Sequence, residues 1–452
     1  MSSFSQRLVA ALAVTLVLAG CDAADDPASD LDRALQQALT AASAGAGLAA
    51  FAMPASDDLA ALPQDPRNPL TPEKVALGRL LFHETALAVN AHRPEGMGTY
   101  ACASCHHPAA AFMPGLRQGI ADGGVGFGRA GEGRRPSPAY TGDAQPDMLP
   151  IRVPTTLNTA WQEVLLWNGQ FGARGPNEGT ESEWLPGTPL ETNHLGYLGQ
   201  ETQAIAGLEV HRMEDGAAHL YATYPEYRAL FDAAFPDRPA DDRATRETAG
   251  LAIAAYVRTL LSNEAPFQRW LRGDLGAMTA RQKEGALVFF GRAGCVACHT
   301  GPALNAMTFH ALGMGELMGR DVFSPFNPKD PVHLGRASFT ARDEDRYRFK
   351  TPQLYNLKDA DFLGHGGTFH SLREVVRYKN AAVPQSDLVP ADRLDPRFEP
   401  LGLTEAEVDA LVAFLKGGLY DPDVARYVPA SVPSGNCIPN NDPQSRRDLG
   451  CE

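Results

Sequence analysis

The sequence predicts a mainly α protein of two packed domains with long irregular loops. Three observations carry that expectation. Apolar residues recur at helical spacing in several stretches, whereas strand-like alternation is scarce. The pattern Cys-x-x-Cys-His occurs twice, at Cys102–His106 and Cys295–His299, about one domain apart. The chain has 452 residues, enough for two domains on the usual length prior. Its apolar content of 44% and charged content of 21% suit a globular protein with a core. With that apolar fraction, 43 glycines and 35 prolines point to ordered loops and not to disorder.

The repeated pattern carries the chemistry. Two thiols three residues apart can each add across one vinyl group of a haem, and the histidine that follows is delivered to the iron. One copy arises by chance at a low rate; two copies at domain spacing are specific. A zinc site would want four compact ligands, and a thioredoxin-like pair would want a βαβ pattern around it. Neither context is present. The expectation is therefore two covalently attached c-type haems, held by Cys102 and Cys105 and by Cys295 and Cys298, with His106 and His299 as proximal iron ligands. The fold class becomes two cytochrome c-like haem domains packed together.

The remaining elements follow in order. Residues 1–20 carry Arg7, an apolar run from Leu8 to Leu18 and then small residues, the pattern of a secretory signal too short for a stable membrane span. The run closes as Leu18-Ala19-Gly20-Cys21, which resembles the lipobox of bacterial lipoproteins. Cys21 would then carry a lipid and anchor an exported, periplasmic or cell-surface protein to a membrane without spanning it. Residues 21–66 read as a tether with one short helix from Leu31 to Leu39. The first domain, 67–242, opens at Thr71-Pro72-Glu73, a helix start, followed by the apolar face of Leu77, Leu80, Leu81 and Phe82. Residues 114–150 and 172–199 lack periodicity and read as loops, and helix resumes near Glu201. The second domain, 243–420, is expected to hold helices over 249–261, 279–290 and 372–380. Its last helix starts at Thr404 with Glu407 three residues on, a capping box, and buries Val408, Leu411, Val412 and Leu415. Residues 421–452 form a tail rich in Pro and Asn, with a disulfide expected between Cys437 and Cys451, which suits an oxidising compartment.

Several landmarks in one order resemble the bacterial dihaem cytochrome c peroxidase superfamily, which includes the MauG-type enzymes. They are Leu77-Gly78-Arg79-Leu80-Leu81-Phe82, both Cys-x-x-Cys-His motifs, Pro154-Thr155-Thr156-Leu157-Asn158, Trp167-Asn168-Gly169, the stretch from Phe349 to Asn356, and His365-Gly366-Gly367. The resemblance implies a peroxide site at the N-terminal haem, an electron relay at the C-terminal haem, and Trp167 between them. Many members cap the N-terminal iron with a histidine from the loop after the first motif; residues 108–193 here hold none. His107 is too close to the proximal ligand to reach across, and His83 and His92 are the other candidates, so a five-coordinate site is expected. The family places a glutamine and then a glutamate after the tryptophan. Gln203 fits the first. Arg212 falls in the glutamate slot, which leaves Glu209 or His211 as the acid–base group, with Arg212 as an electrostatic partner of His211. The distal ligand of the second iron falls at Lys379 in the family register, with Tyr378 one residue away and Met307, Met314 or Met318 as further alternatives. The family often holds a calcium between its domains. The matching positions here are Arg152, Ala360 and Phe362, and a guanidinium in place of the cation makes calcium doubtful.

Three functions compete on this reading. The first is a peroxidase that reduces hydrogen peroxide with electrons from a small donor protein, a cytochrome c or a cupredoxin. The second is a MauG-like oxidase that uses peroxide to modify side chains, such as tryptophan, of a partner protein. The third is a dihaem electron-transfer cytochrome without catalysis. The net charge of −14 argues against nucleic acid and favours a basic donor.

Overall fold

The computed structural model describes residues 27–451. The expected signal segment and Cys21, the expected site of a lipid, lie outside the described residues. Twelve α-helices carry the described chain: α1 Pro27–Ala42, α2 Pro72–His83, α3 Gly199–Val210, α4 Gly216–Thr223, α5 Pro225–Ala234, α6 Arg246–Arg258, α7 Pro266–Leu271, α8 Ala280–Phe290, α9 Ala337–Thr340, α10 Leu372–Ala381, α11 Glu405–Ala413 and α12 Pro443–Leu449. Among the described residues, strand is confined to two antiparallel pairs of two residues each, β1 Gly124–Val125 with β2 Arg135–Pro136, and β3 Phe309–His310 with β4 Phe349–Lys350. The mainly α expectation therefore holds. Among the described residues, no helix is long and apolar enough to cross a membrane.

Two halves repeat one plan. In the first, α2 leads into the motif at Cys102 and packs across α6; in the second, α8 leads into the motif at Cys295 and packs across α11. Both crossings are close enough to demand glycine. A Cβ on Gly78 of α2 would lie 1.8 Å from the Ala252 carbonyl oxygen, and one on Gly285 of α8 would lie 1.9 Å from that of Ala410. Asn158 and Asn356 hold equivalent left-handed turns, with φ of 58° and 59°. Their N–H groups donate to the carbonyls of Leu260 (2.8 Å) and Leu419 (3.0 Å), just beyond α6 and α11. A short hairpin closes each turn region, bridged at Leu165–Phe171 and at Leu363–Phe369. Trp167 and His365 occupy the same place in these two hairpins. α3 then follows the first hairpin and α10 the second.

Two apolar clusters form the core. One gathers α2, α3 and α6 around Leu77, Leu81, Ile205 and Tyr256, all buried. The other gathers α8, α10 and α11 around Phe289, Phe290, Val408 and Phe414. The boundary expected after Asp242 precedes α6, and cluster membership changes between Leu260 and Leu261, just past the end of α6. Its small residues Ala249, Gly250 and Ala252 are what let α2 and α3 approach it.

The tether expected over 21–66 is corrected for its described part. Leu35 and Leu39 of α1 and Phe51 are fully buried in the second cluster. Asp32 pairs with Lys283 at 2.6 Å and accepts from the Trp270 indole at 2.7 Å, so α1 is fixed to α8 by charge as well as by apolar packing. The tail carries the expected Cys437–Cys451 disulfide. It folds back on the first half, where Ser434 donates to Glu84 (2.6 Å) and Asp448 accepts from the Phe127 and Gly128 amides.

If α1 is part of the core, Leu35→Ala removes a fully buried side chain and is expected to destabilise the protein by about 2–5 kcal/mol. Urea unfolding of the exported protein measures this. A midpoint unchanged from the wild type would restore the tether.

Candidate functional site

Each Cys-x-x-Cys-His motif is one tight helical turn. The His106 and Cys105 amides both donate to the Cys102 carbonyl, at 3.1 and 3.2 Å; those of His299 and Cys298 donate to Cys295, at 2.9 and 3.1 Å. Residues i, i+3 and i+4 of such a turn share a face, so both thiols and the imidazole point the same way. None of the four thiols is in a disulfide. Burial pushes Cys102, Cys105 and Cys295 up to about 12, 11 and 11, which keeps those thiols neutral.

A small loop after each motif fixes the histidine. Phe112 and Leu304 both have left-handed backbones, with φ of 54° and 47°. The His106 Nδ1–H donates to the Phe112 carbonyl at 3.0 Å, and the His299 Nδ1–H donates to those of Leu304 and Pro352, both at 3.1 Å. A donated Nδ1–H leaves the lone pair on Nε2, the tautomer that binds a metal. Burial lowers both imidazoles to about 4, so both are neutral at ordinary pH.

Both motifs open onto one continuous cavity of about 700 Å³. Gln203, Gly207 and His211 of the α3 segment face it in the first half; Leu372, Val375 and Lys379 of α10 face it in the second. The two helices therefore stand at equivalent positions over the two motifs. The His211 Nδ1 lies 2.6 Å from Asp147 Oδ2. Arg212 reaches Asp122 at 2.8 Å through Nε and Asp147 at 3.1 Å. Burial pushes the Asp147 carboxyl up, but the charges and hydrogen bonds of His211 and Arg212 outweigh it and hold it below the usual range.

The halves meet at Trp167 and His365, which are edge to face with ring centres 6.2 Å apart. Their backbones exchange partners across the junction. The Arg152 N–H donates to the His365 carbonyl (2.9 Å), and the Lys350 N–H donates to the Trp167 carbonyl (2.7 Å). The Trp167 indole N–H returns to the Arg152 carbonyl at 2.7 Å. His365 also stacks on Phe349 at 3.7 Å, and its Nε2 lies 3.5 Å from buried Glu316.

The cavity thus gathers His106, His299, all four motif cysteines, Trp167, Gln203, His211 and Lys379. It does not gather the other candidates. Glu209 is on the outer side of α3 and pairs with Arg246 at the surface, two residues out of phase with the cavity face. Tyr378 is buried away from the cavity, its hydroxyl donating to the Leu312 carbonyl. His83 is packed between Phe82 and Tyr256 with its Nδ1 on the Arg79 carbonyl, and His92 sits in a surface groove. Of the methionines considered, Met314 lines the cavity, while Met318 is exposed. Sequence reasoning missed Asp147, Lys350 and the pairing of Trp167 with His365. Asp147 sits in an aperiodic loop and carried no local signal. The other two were legible in principle, as an internal repeat of Pro154 to Phe171 over Pro352 to Phe369.

The donor set fits haem. Free thiols and a neutral Nε2 converge on the same cavity in each half, and among the described residues neither Nε2 has a hydrogen-bond partner. Comparison with known proteins agrees. The family described as di-haem cytochrome c peroxidase matches residues 72–276. The methylamine utilization protein MauG of Methylorubrum extorquens is 32% identical over 358 residues, covering 78% of this chain and 80% of that protein. Cytochrome-c peroxidase IdrP1 of Denitromonas iodatirespirans is 30% identical over 406 residues, covering 83% and 89%. The fold is shared with the crystal structure of a MauG-like protein associated with microbial copper homeostasis, at a TM-score of 0.54 and 24% identity over 82% of this chain and 95% of that one. With two relatives of that identity and coverage, the chain belongs to the di-haem cytochrome c peroxidase family and is an oxidoreductase of the peroxidase class.

Proposed function

We propose that the protein reduces hydrogen peroxide at the N-terminal haem, with electrons relayed through the C-terminal haem. On this reading each half is a cytochrome c-like haem domain, attached through Cys102 and Cys105 or Cys295 and Cys298, with His106 and His299 as proximal ligands. Bound haem supplies the iron that takes up peroxide and the reducing equivalents that cleave its O–O bond. The observation that carries the proposal is the His211–Asp147 pair facing the cavity shared with His106.

The residues divide the proton work. Peroxide needs two electrons and two protons to become two waters. His211 Nε2 is free to take a proton from one peroxide oxygen and return it to the other, because Nδ1 is committed to Asp147. Asp147 orients the imidazole and stabilises its charged form. Arg212 offsets the two carboxylates Asp122 and Asp147. Gln203, about two turns earlier on the same face, is placed to orient peroxide by hydrogen bonding. Trp167, tied to both halves, is the bridge for charge.

Lys379 is our distal ligand for the C-terminal iron. Its amine must be neutral to bind metal, and burial lowers its pKa from the usual value. It has no carboxylate ion pair among the described residues, whereas Tyr378 is committed to Leu312. Calcium is not part of this proposal. The Arg152 guanidinium donates to the carbonyls of Pro114, Leu116 and Arg117, and it lies 5.4 Å from the Phe362 ring centre. A second cation there would face like charge. The MauG-like oxidation of a partner protein is the second reading. It is favoured by one observation: no described side chain of the loop after the first motif offers a histidine to close the site. A non-catalytic cytochrome would have no use for the His211–Asp147 pair. For location we carry forward an exported lipoprotein anchored at Cys21, served by a small electron-donor protein.

Replacing the proton carrier tests the first claim. His211→Ala should slow the reaction with peroxide about 10²–10⁴-fold in stopped-flow, with haem content unchanged, and Asp147→Asn should lie between it and the wild type. Wild-type rates in both variants would remove His211 from the mechanism. For the second iron, Lys379→Met should keep a low-spin haem but introduce a methionine-to-iron charge-transfer band and raise its midpoint potential. An unchanged spectrum and potential would exclude Lys379 as ligand.

A further inference from the structure

The repeat leaves two buried cations at the junction. Arg152 stands two residues before Pro154, and Lys350 stands two residues before Pro352. Both line the cavity, and they are only 2% and 7% exposed. Each uses its backbone N–H to cross to the other half, as described above. Among the described residues, neither forms an ion pair with a carboxylate. Their side chains differ in what they find. The Arg152 guanidinium donates to three backbone carbonyls through its two terminal nitrogens and lies against the Phe362 ring, while its Nε has no partner. The Lys350 ammonium has one acceptor, the Gln162 side-chain oxygen, which is neutral. An ammonium carries three N–H donors, so two remain without a partner in the protein.

A buried ammonium without an anion is costly, and proteins resolve the cost by pairing it or by neutralising it. Here burial alone acts on Lys350, with no charged neighbour opposing it, and lowers it to about 7. The ammonium lines the cavity with one neutral acceptor, so a group held in the cavity can supply the anion. The group this cavity is built to hold brings its own: c-type haem carries two carboxylates on its propionate side chains, and they stay free when the vinyl groups are used for attachment. Phosphate or another free anion would satisfy the same ammonium, and the experiment below separates that source from a propionate.

We propose that Lys350, supported by Gln162, holds a propionate carboxylate of a bound haem at the Trp167–His365 junction and raises the midpoint potential of that haem. The inference rests on the two-haem reading. A retained positive charge beside a haem disfavours the ferric form by Coulomb attraction to the extra electron of the ferrous form, and the low-dielectric surroundings make the effect large. Lys350 is then a positioning residue for the relay, because its backbone fixes Trp167 while its side chain fixes the cofactor's edge.

The test uses the purified holoprotein. Pyridine haemochrome first counts haems; a wild type with fewer than two per chain would overturn the two-haem reading and this inference with it, whereas the outcomes below overturn the inference alone. In the wild type, the propionate bending bands of the resonance Raman spectrum should shift on transfer to D₂O, as a carboxylate bound to an ammonium does. Lys350→Met, with two haems retained, should shift those bands and lower one midpoint potential in spectroelectrochemistry, and Lys350→Arg should restore both. Added phosphate should change neither band nor potential; a phosphate-dependent shift would make the anion a free one and overturn the proposal. Wild-type bands insensitive to D₂O would overturn it without any variant, as would Lys350→Met with both potentials unchanged.

Discussion

The structure turns on an exchange of two backbone hydrogen bonds between equivalent segments of its halves. Arg152 gives its N–H to the His365 carbonyl, and Lys350 gives its N–H to the Trp167 carbonyl. This pairing sets the hairpins tip to tip and puts an indole against an imidazole at 6.2 Å. It also makes one cavity of what would otherwise be two. Charge transfer between two cofactors needs a short, rigid path, and these bonds supply rigidity without using any side chain that the chemistry requires. The exchange further explains why the irregular stretches are ordered: Gly-rich hairpins that lack helix or sheet of their own are pinned by partners in the other half.

Within each half, a second constraint aims the metal-binding groups. The motif turn sorts thiols and imidazole onto one face, and a left-handed residue five or six positions later turns a carbonyl back onto Nδ1. Burial then keeps the imidazole neutral. The same device appears twice, and so does the glycine that lets the supporting helices cross. What differs between halves is the helix over the cavity. α3 offers Gln203 and His211, polar groups backed by Asp147; α10 offers mainly apolar side chains and one lysine. One plan thus places a histidine backed by a carboxylate over one motif and a buried lysine over the other.

Much of this was legible in the chain. The paired Cys-x-x-Cys-His motifs, the helices leading into them, the Thr404 capping box and the tail disulfide all rest on local patterns, and each appears in the structure. What depended on tertiary placement was not legible. Whether Glu209 or His211 faces the cavity is a matter of where α3 ends, and Arg212 at φ 57° breaks the helical register that counting assumes. Tyr378 and Lys379 are adjacent, so a 100° step of α10 decides between them. The stretch before residue 66 reads as linker by composition, yet Asp32, Leu35 and Leu39 find a complementary face on α8 that no local rule reveals. The role of α6 was likewise hidden, because its small residues signal close packing without saying against which helix.

The central claim is that His211, backed by Asp147, serves an N-terminal haem site that the loop after the first motif leaves without a capping histidine. The most direct measurement is the EPR and optical spectrum of the fully oxidised protein before and after one equivalent of hydrogen peroxide. The account predicts one high-spin and one low-spin ferric signal at rest, and loss of the high-spin signal within the mixing time. Two low-spin signals at rest, with reactivity appearing only after one-electron reduction, would contradict it.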